Sequence, residues 1–242
     1  MNMIQLSDHF TCKRLLRYVL PTIGMMLCTS IYSIVDGLFV SNFLGKVPLA
    51  AVNLIMPITM GLGAIGFMLG TGGSAVVATS LGSGETNQAN RYFSMLVYAA
   101  IGISLTISVG GWFAVRPLAS MLGAEGELLE NCVVYGRILF VSETAFILQY
   151  VFQSFFVVAE RPDLSLKISV VAGIANVVLD YLFIVVFHWG IAGAAIATAI
   201  GQVIGGITPI VYFCTNKAGL HLCKTSLYWK VLLKACANGS SE

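Results

Sequence analysis

Long runs of apolar residues, each ended by a short polar segment, follow one another along nearly the whole chain. A helix that crosses a lipid bilayer needs about 20 mainly apolar residues, and six runs reach that length. The breaks between them carry turn residues, as in "GSGETNQANR" and "ERPD". A further helix is predicted to begin within "SLYWKVLLKACANG". The six predicted spans cover residues 15–44, 49–80, 92–115, 132–159, 166–187 and 191–214.

This pattern predicts an all-α integral membrane protein, with a six-helix transmembrane lobe plus the start of a seventh helix. The composition agrees, since 57% of the residues are hydrophobic, 10% are charged and the mean hydropathy is +0.88. A soluble domain carries about 25% charged residues, so this chain has too little polar surface for a water-soluble globule. The lipid bilayer is the expected partner. A nucleic-acid partner is not expected, because the basic residues form no patch interleaved with aromatic residues.

The distribution of Lys and Arg predicts the orientation. With the N-terminus in the cytoplasm, ten of the thirteen basic residues fall on the inner side, as the positive-inside rule requires. The three outer ones are Lys46, Arg116 and Arg137. We therefore expect a cytoplasmic N-terminus over 1–14, the six-helix lobe over 15–214, and a cytoplasmic loop with the start of helix 7 over 215–242. The expected location is a cell membrane, with a bacterial cytoplasmic membrane favoured.

Two acids stand inside predicted spans, Asp36 in helix 1 and Asp180 in helix 5. A carboxylate there costs about 2.5–3.5 kcal/mol on insertion scales, so its default interpretation is a functional group that faces the bundle interior. An ungapped alignment of "VDGLFVSNFLGKVPLAAV" with "LDYLFIVVFHWGIAGAAI" pairs the two acids and also pairs Phe39 with Phe183 and Phe43 with Phe187. Both helices run outward, which predicts that the two carboxylates lie at similar depth. The alternative is that they only accept structural hydrogen bonds.

Polar neighbours extend this hypothesis. Asn176 precedes Asp180 by one helical turn and shares its face, and these oxygens would suit either a proton or Na⁺. A third acid, Glu143 in helix 4, is interpreted either as a second cation site on a central cavity or as a structural partner for a neighbouring polar group. Gln153 and Gln202 are assigned with Glu143 to the substrate cavity.

Other patterns limit the function classes. The glycine-rich segment "GLGAIG" formally matches a dinucleotide motif, but it lies in an apolar helix without a preceding strand, so we interpret its glycines as helix-packing residues. No hydrolase triad, HExxH or phosphate-loop pattern is present in the sequence, and therefore no catalytic residue and no enzyme activity is predicted. The six cysteines lack CxxC and metal-ligand spacing and are expected to be unpaired.

Several segments together resemble the multidrug and toxic compound extrusion (MATE) transporters, and their MepA-like branch in particular. They are "LPTIGMMLCTSIYSIVDGLFVSNFLGKVPLAAVNLIMPI", "LGSGETNQANR", "YGRIL", "ERPDLSL" and "NVVLDYLFI", followed by "WGIAGAAIATAIGQ". The resemblance implies two six-helix lobes that open alternately inward and outward, of which this chain would hold the N-terminal one. It also implies an ion site at Asp36, Asn176, Asp180, Tyr135 and Thr198, and a hinge at Pro21. Glu143 is not part of that pattern.

The expected function is therefore ion-coupled export of cationic amphipathic drugs or toxins. The coupling ion would be H⁺ or Na⁺, with no other cofactor and no metal apart from Na⁺ at Asp36 and Asp180. The expected partners are small cationic substrates and either a C-terminal lobe or a second copy of the chain. Two alternatives stay open: a flippase for lipid-linked precursors, for which a strongly cationic cavity is expected, and a membrane scaffold that transports nothing.

Overall fold

The structure is a computed structural model that describes residues 12–216 and 219–241, with side chains from residue 19 onward. The predicted N-terminal segment, 1–14, thus lies largely outside the described residues. All regular secondary structure within the described ranges is helical, which confirms the all-α fold class. The helices are α1 Cys12–Phe39, α2 Lys46–Gly82, α3 Thr86–Met121, α4 Gly126–Val158, α5 Pro162–Asp180, α6 Gly190–Thr215 and α7 Trp229–Gly239, with two π-helical turns, π1 Val40–Leu44 and π2 Tyr181–Val186.

Six of these helices are long and apolar enough to cross a membrane, which confirms the six predicted spans. They are α1 to α6, of which α1 and α5 continue through π1 and π2 at their outer ends. The seventh helix, α7, is 11 residues long and begins inside the segment where the sequence predicts a helix.

Helix boundaries differ most from the prediction at α3. The sequence predicted a span over 92–115, whereas the helix extends from Thr86 to Met121. The polar residues that flank the predicted span, 86–91 and 116–121, were interpreted as turns. They are helical, because polar side chains can contact the aqueous interface from a helix as well as from a turn. The chain reverses instead in two short segments around Gly84 and Gly123, whose φ angles of +80° and +86° favour glycine.

Helix α4 lies at the centre of the lobe, in extensive contact with α2, α3 and α6. It is the most buried of the six spans, whereas α1 is the least buried and packs mainly on α5. Two apolar clusters fill the interior. One is built of aromatic rings near the predicted cytoplasmic end (Phe93, Phe152, Phe155, Phe213), and the other surrounds Tyr135 and Phe140 nearer the outer end.

The glycines of α2 bring its backbone against α4. A Cβ added at Gly66 would collide with the backbone of Ile147, and one added at Gly70 would lie 3.1 Å from the Cα of Val151. By contrast, Gly61 on the same helix faces open space. Small residues thus permit the close helix packing that the sequence predicted for this segment.

We expect Gly66→Ala to destabilise the lobe and Gly61→Ala to leave it unchanged or slightly more stable. The new methyl group at position 66 meets backbone that cannot rotate away, and such overpacking costs about 1–3 kcal/mol. At position 61 the same change gains helix propensity and meets no atom within 4 Å. Thermal unfolding of both variants in detergent measures the difference, and equal melting temperatures would contradict this account of the α2–α4 contact.

Candidate functional site

The two membrane-embedded acids meet in the lobe interior. Asp36 lies three residues before the end of α1, and Asp180 is the last residue of α5. Their side chains are 3% and 0% exposed. The two carboxyl groups are close enough to each other for direct electrostatic coupling. The similar depth that the sequence predicts is thus realised as adjacency.

Each acid is followed by a π-helical turn, a feature that the sequence analysis did not anticipate. The turn π1 begins four residues after Asp36, and π2 begins directly after Asp180. Within or beside each turn, two phenylalanines four residues apart stack in the same way. The ring centroids of Phe39 and Phe43 are 5.9 Å apart, and those of Phe183 and Phe187 are 6.1 Å apart. These are the pairs that the internal sequence repeat aligns, so helices 1 and 5 share a local architecture. Such π turns occur frequently at functional sites.

Three further predicted residues surround the acid pair. Tyr135 on α4 is fully buried, lies within electrostatic range of both carboxyl groups, and neighbours Thr198 on α6. Asn176 lies one turn before Asp180 and faces α6, where a Cβ added at Gly201 would be 3.4 Å from the Asn176 Cβ. The fold therefore brings all five predicted ion-site residues into one region, from helices α1, α4, α5 and α6.

This region, which we call the acid pocket, is rich in oxygen atoms without a hydrogen-bond partner among the described residues. A buried polar group without a partner costs about 1–3 kcal/mol, and a cluster of them is ready to accept a proton or to coordinate a cation. The unpaired oxygens are Asp36 Oδ1, Tyr135 Oη, Asn176 Oδ1, Asp180 Oδ1 and Oδ2, and Thr198 Oγ1.

A cavity of about 290 Å³ adjoins the acid pocket. Asn176 and Thr198 belong to both, while Gln153 and Gln202, predicted for the substrate cavity, lie in its wall. Eight of the sixteen remaining wall residues are methionine or aromatic and five others carry a hydroxyl or amide group, and no charged side chain among the described residues lines the cavity. These methionine and aromatic residues are Met25, Met26, Met56, Met60, Tyr32, Phe67, Phe146 and Tyr150.

Glu143 does not line this cavity. It is fully buried in α4, and neither carboxylate oxygen has a hydrogen-bond partner among the described residues. Leu139 and Phe146, on the same face of the helix, do form the cavity wall, so the carboxyl group lies just behind it. It is close enough to Tyr150 to act on that hydroxyl group electrostatically.

The neighbours of Glu143 in sequence are hydrogen-bonded, in contrast to Glu143 itself. Ser142 donates to Gln202 Oε1 at 2.6 Å, and Ser108 and Thr144 share a hydrogen bond of 3.0 Å. These bonds tie α4 to α6 and α3, so neighbouring polar groups already have partners that do not involve Glu143.

The remaining predicted residue, Pro21, lies inside α1, which continues through it as one α-helix. Sequence reasoning missed one contact that holds α1 in place: a Cβ added at Gly173 on α5 would be 2.9 Å from the Tyr32 ring. Helical periodicity puts Tyr32 on the face of Asp36 and Gly173 on the face of Asp180, but only the packing of α1 on α5 brings Tyr32 and Gly173 together.

Comparison with known proteins provides independent evidence about the family of the chain. The model of the MatE family matches residues 21–182. The chain is 29% identical over 202 residues to the multidrug export protein MepA of Staphylococcus haemolyticus, and 27% identical to that of Staphylococcus saprophyticus. In both cases the match covers 83% of this chain, but only 44% and 45% of the relative. The chain thus spans about half the length of the curated relatives it matches.

The fold of the chain is also found in solved structures. An outward-facing multidrug resistance MATE family transporter of the MOP superfamily superposes with a TM-score of 0.86 at 24% identity. The superposition covers 93% of this chain and 50% of that transporter. The six-helix lobe described above is therefore one half of a known transporter fold.

If the acid pocket serves ion binding rather than stability, Asp180→Asn should not destabilise the lobe. The substitution removes a carboxylate that has no hydrogen-bond partner and lies beside Asp36, so we expect Tm in detergent to rise by about 3 °C, the shift that roughly 1 kcal/mol produces in a chain of this size.

The matched control is Asp163→Asn at the start of the same helix. That exposed carboxylate pairs with Arg161 at 3.3 Å and Lys167 at 3.6 Å, and its loss should change Tm little. A larger decrease of Tm for Asp180→Asn than for Asp163→Asn would assign the pocket a structural role.

Proposed function

The chain belongs to the MatE family and is a multi-pass protein of the bacterial cytoplasmic membrane, and from this premise we propose that it forms the ion-binding half of a drug exporter. The exporter exchanges H⁺ or Na⁺ for cationic amphipathic drugs or toxins. The relatives named multidrug export protein support the general activity.

One observation carries the proposal for this chain: two buried carboxyl groups lie side by side in the acid pocket, and within the described part of the chain Asp36 Oδ1 and both oxygens of Asp180 have no hydrogen-bond partner. Like charges so close repel each other, and burial adds a desolvation cost. A proton or a sodium ion that arrives from outside offsets both costs. Asn176, Tyr135 and Thr198 supply neutral oxygens around it.

The bound ion acts on helix packing. Neutralising the acid pair removes the repulsion between α1 and α5, which hold Asp36 and Asp180 and contact each other directly. The turns π1 and π2 lie next to these residues and can absorb a local change of helical register. Since α1 also lines the cavity through Met25, Met26 and Tyr32, its movement loosens the hold on the substrate. Ion and substrate then bind with opposing, reciprocal coupling, as exchange requires.

The cavity supports a cationic amphipathic substrate. Methionine and aromatic side chains adapt to varied apolar shapes and attract cations, while Gln153 and Gln202 offer polar contacts. Glu143 lies fully buried behind the wall and adds negative potential only when its carboxyl group is ionised. A flippase for a pyrophosphate-bearing lipid would require basic groups, and the cavity wall of the described residues has none.

The rest of the pathway belongs to a second lobe. We propose that this lobe is either a C-terminal half, as the relatives' greater length suggests, or a second copy of this chain. Cross-linking in a bilayer distinguishes them, since a covalent dimer of the chain supports the second arrangement.

Asp36→Asn and Asp180→Asn should each abolish gradient-driven efflux, because an amide neither takes up a proton nor balances the charge of a sodium ion. The measurement is drug efflux from proteoliposomes that contain the protein with its second lobe, under an imposed H⁺ or Na⁺ gradient. Asp163→Asn is the control and should retain efflux, with insertion of all three variants verified. Normal efflux by both pocket variants would refute the ion site and favour a scaffold.

At alkaline pH, where the buried carboxyl group of Glu143 can ionise, Glu143→Gln should weaken binding of a permanently charged lipophilic cation by about tenfold and leave a neutral isostere unaffected, because only the charged ligand responds to the lost negative potential. Glu130→Gln on the same helix is the control, since Glu130 is exposed and paired with Arg116. Equal affinities of Glu143→Gln and the parent protein for tetraphenylphosphonium would remove Glu143 from the substrate site.

A further inference from the structure

Two adjoining open clefts lie at the predicted cytoplasmic end of α3, beside the segment that connects α6 to α7. Their volumes are about 280 and 350 Å³. Both are lined by Arg91 and Tyr228, and every other lining side chain is basic, aromatic, or carries a hydroxyl or amide group. No acidic residue of the described part of the chain lines either cleft. The further residues are Asn87, Gln88 and Tyr92 in one cleft and Lys224, Thr225 and Ser226 in the other.

Hydrogen bonds fix residues 219–228 of the connecting segment on α3, although these residues form no regular secondary structure. The backbone N–H of His221 donates to Asn90 Oδ1 at 3.0 Å. One turn further along α3, the backbone N–H of Cys223 donates to Ser94 Oγ at 2.8 Å. The Tyr98 hydroxyl donates to the carbonyl of Cys223 at 3.4 Å. Lys224 therefore follows directly on an anchored residue and is held beside Arg91.

The donors of the clefts converge on the Tyr228 hydroxyl. Hydrogen bonds from Ser226 and from Arg91 lower the pKa of this phenol, because both stabilise negative charge on its oxygen. Arg91 forms no ion pair with a carboxylate among the described residues. The site thus favours negative charge and supplies none from its own lining side chains at neutral pH.

Two helix N-termini open on the same clefts. Asn87 and Gln88 belong to the first turn of α3, and Tyr228 is the N-cap of α7. Neither helix has a side-chain hydrogen bond that caps its N-terminus. Their free backbone N–H groups add to the positive potential of Arg91 and Lys224 and are suited to phosphate oxygens.

The surroundings select a lipid as the source of the phosphate. Leu227 and Trp229 flank Tyr228 and are 53% and 64% exposed. Tryptophan is enriched where the headgroups of a bilayer meet its apolar core. A phospholipid can place its phosphate in the basic clefts and its acyl chain along the apolar side chains of Leu227 and Trp229.

We propose that Arg91, Lys224, Ser226 and Tyr228 bind the phosphate group of an anionic phospholipid from the cytoplasmic leaflet. The site is separate from the acid pocket and does not depend on transport. Its occupation ties the connecting segment, and with it the start of α7, to the membrane surface.

Fluorescence quenching of Trp229 tests the proposal. In the full chain with Trp112→Phe and Trp189→Phe, Trp229 is the remaining tryptophan. Phosphatidylglycerol with brominated acyl chains, titrated into phosphatidylcholine nanodiscs, should quench it at a low mole fraction, whereas brominated phosphatidylcholine should not. Arg91→Gln with Lys224→Gln should raise the half-saturating fraction about tenfold, as expected for the loss of two basic contacts.

Lys167→Gln with Lys234→Gln removes the same charge from the predicted cytoplasmic side and should not shift the curve. Lys224→Gln alone, in the loop, provides the comparison if the double variant fails to fold. Identical curves for the two lipids, or for the parent and Lys224→Gln, would overturn the proposal. Displacement of the lipid by millimolar inorganic phosphate would overturn the lipid assignment and identify a soluble ligand.

Discussion

The burial of two carboxyl groups against each other is the constraint on which the rest of this lobe depends. Asp36 and Asp180 oppose folding, since both desolvation and mutual repulsion act against their charged forms. Their neighbours Tyr135, Asn176 and Thr198 do not relieve that cost, because their side chains carry no positive charge. Stability must therefore come from packing elsewhere. In the proposed function, a proton or cation from outside the chain provides the remaining compensation.

That packing is distributed unevenly. Helices α2 and α6 each approach α4 closely through glycines, as at Gly66 against Ile147 and Gly206 against Ala145, and aromatic rings fill the space toward the predicted cytoplasmic end. Helix α1 is the least buried span and leans mainly on α5. The acid pair thus lies between a tightly packed core and its most loosely held wall.

Particular residues show how much of this could be predicted. Asp36 and Asp180 were identified because insertion of a charge in a bilayer is costly, and their similar depth followed from helix direction and rise per residue. Glu143 was found by the same reasoning, but not its position behind the cavity wall. The turns π1 and π2 escaped prediction, because their i to i+5 hydrogen bonds have no marker in residue type. The ends of α3 were predicted too short, since polar residues at an interface do not distinguish helix from turn.

The sequence by itself determined the membrane environment, the number of spans, their predicted direction and the residues with chemistry, because each follows from hydropathy and charge over short stretches of chain. The tertiary structure alone decided which of those residues meet. Three predicted spans lie between Asp36 and Asp180 in the sequence, yet the two residues become neighbours because α1 packs on α5. Glu143 is instead buried in α4, behind the cavity wall. Which residues become neighbours depends on the rotation of each helix about its axis and on contacts across the bundle, and no single segment of the sequence determines either.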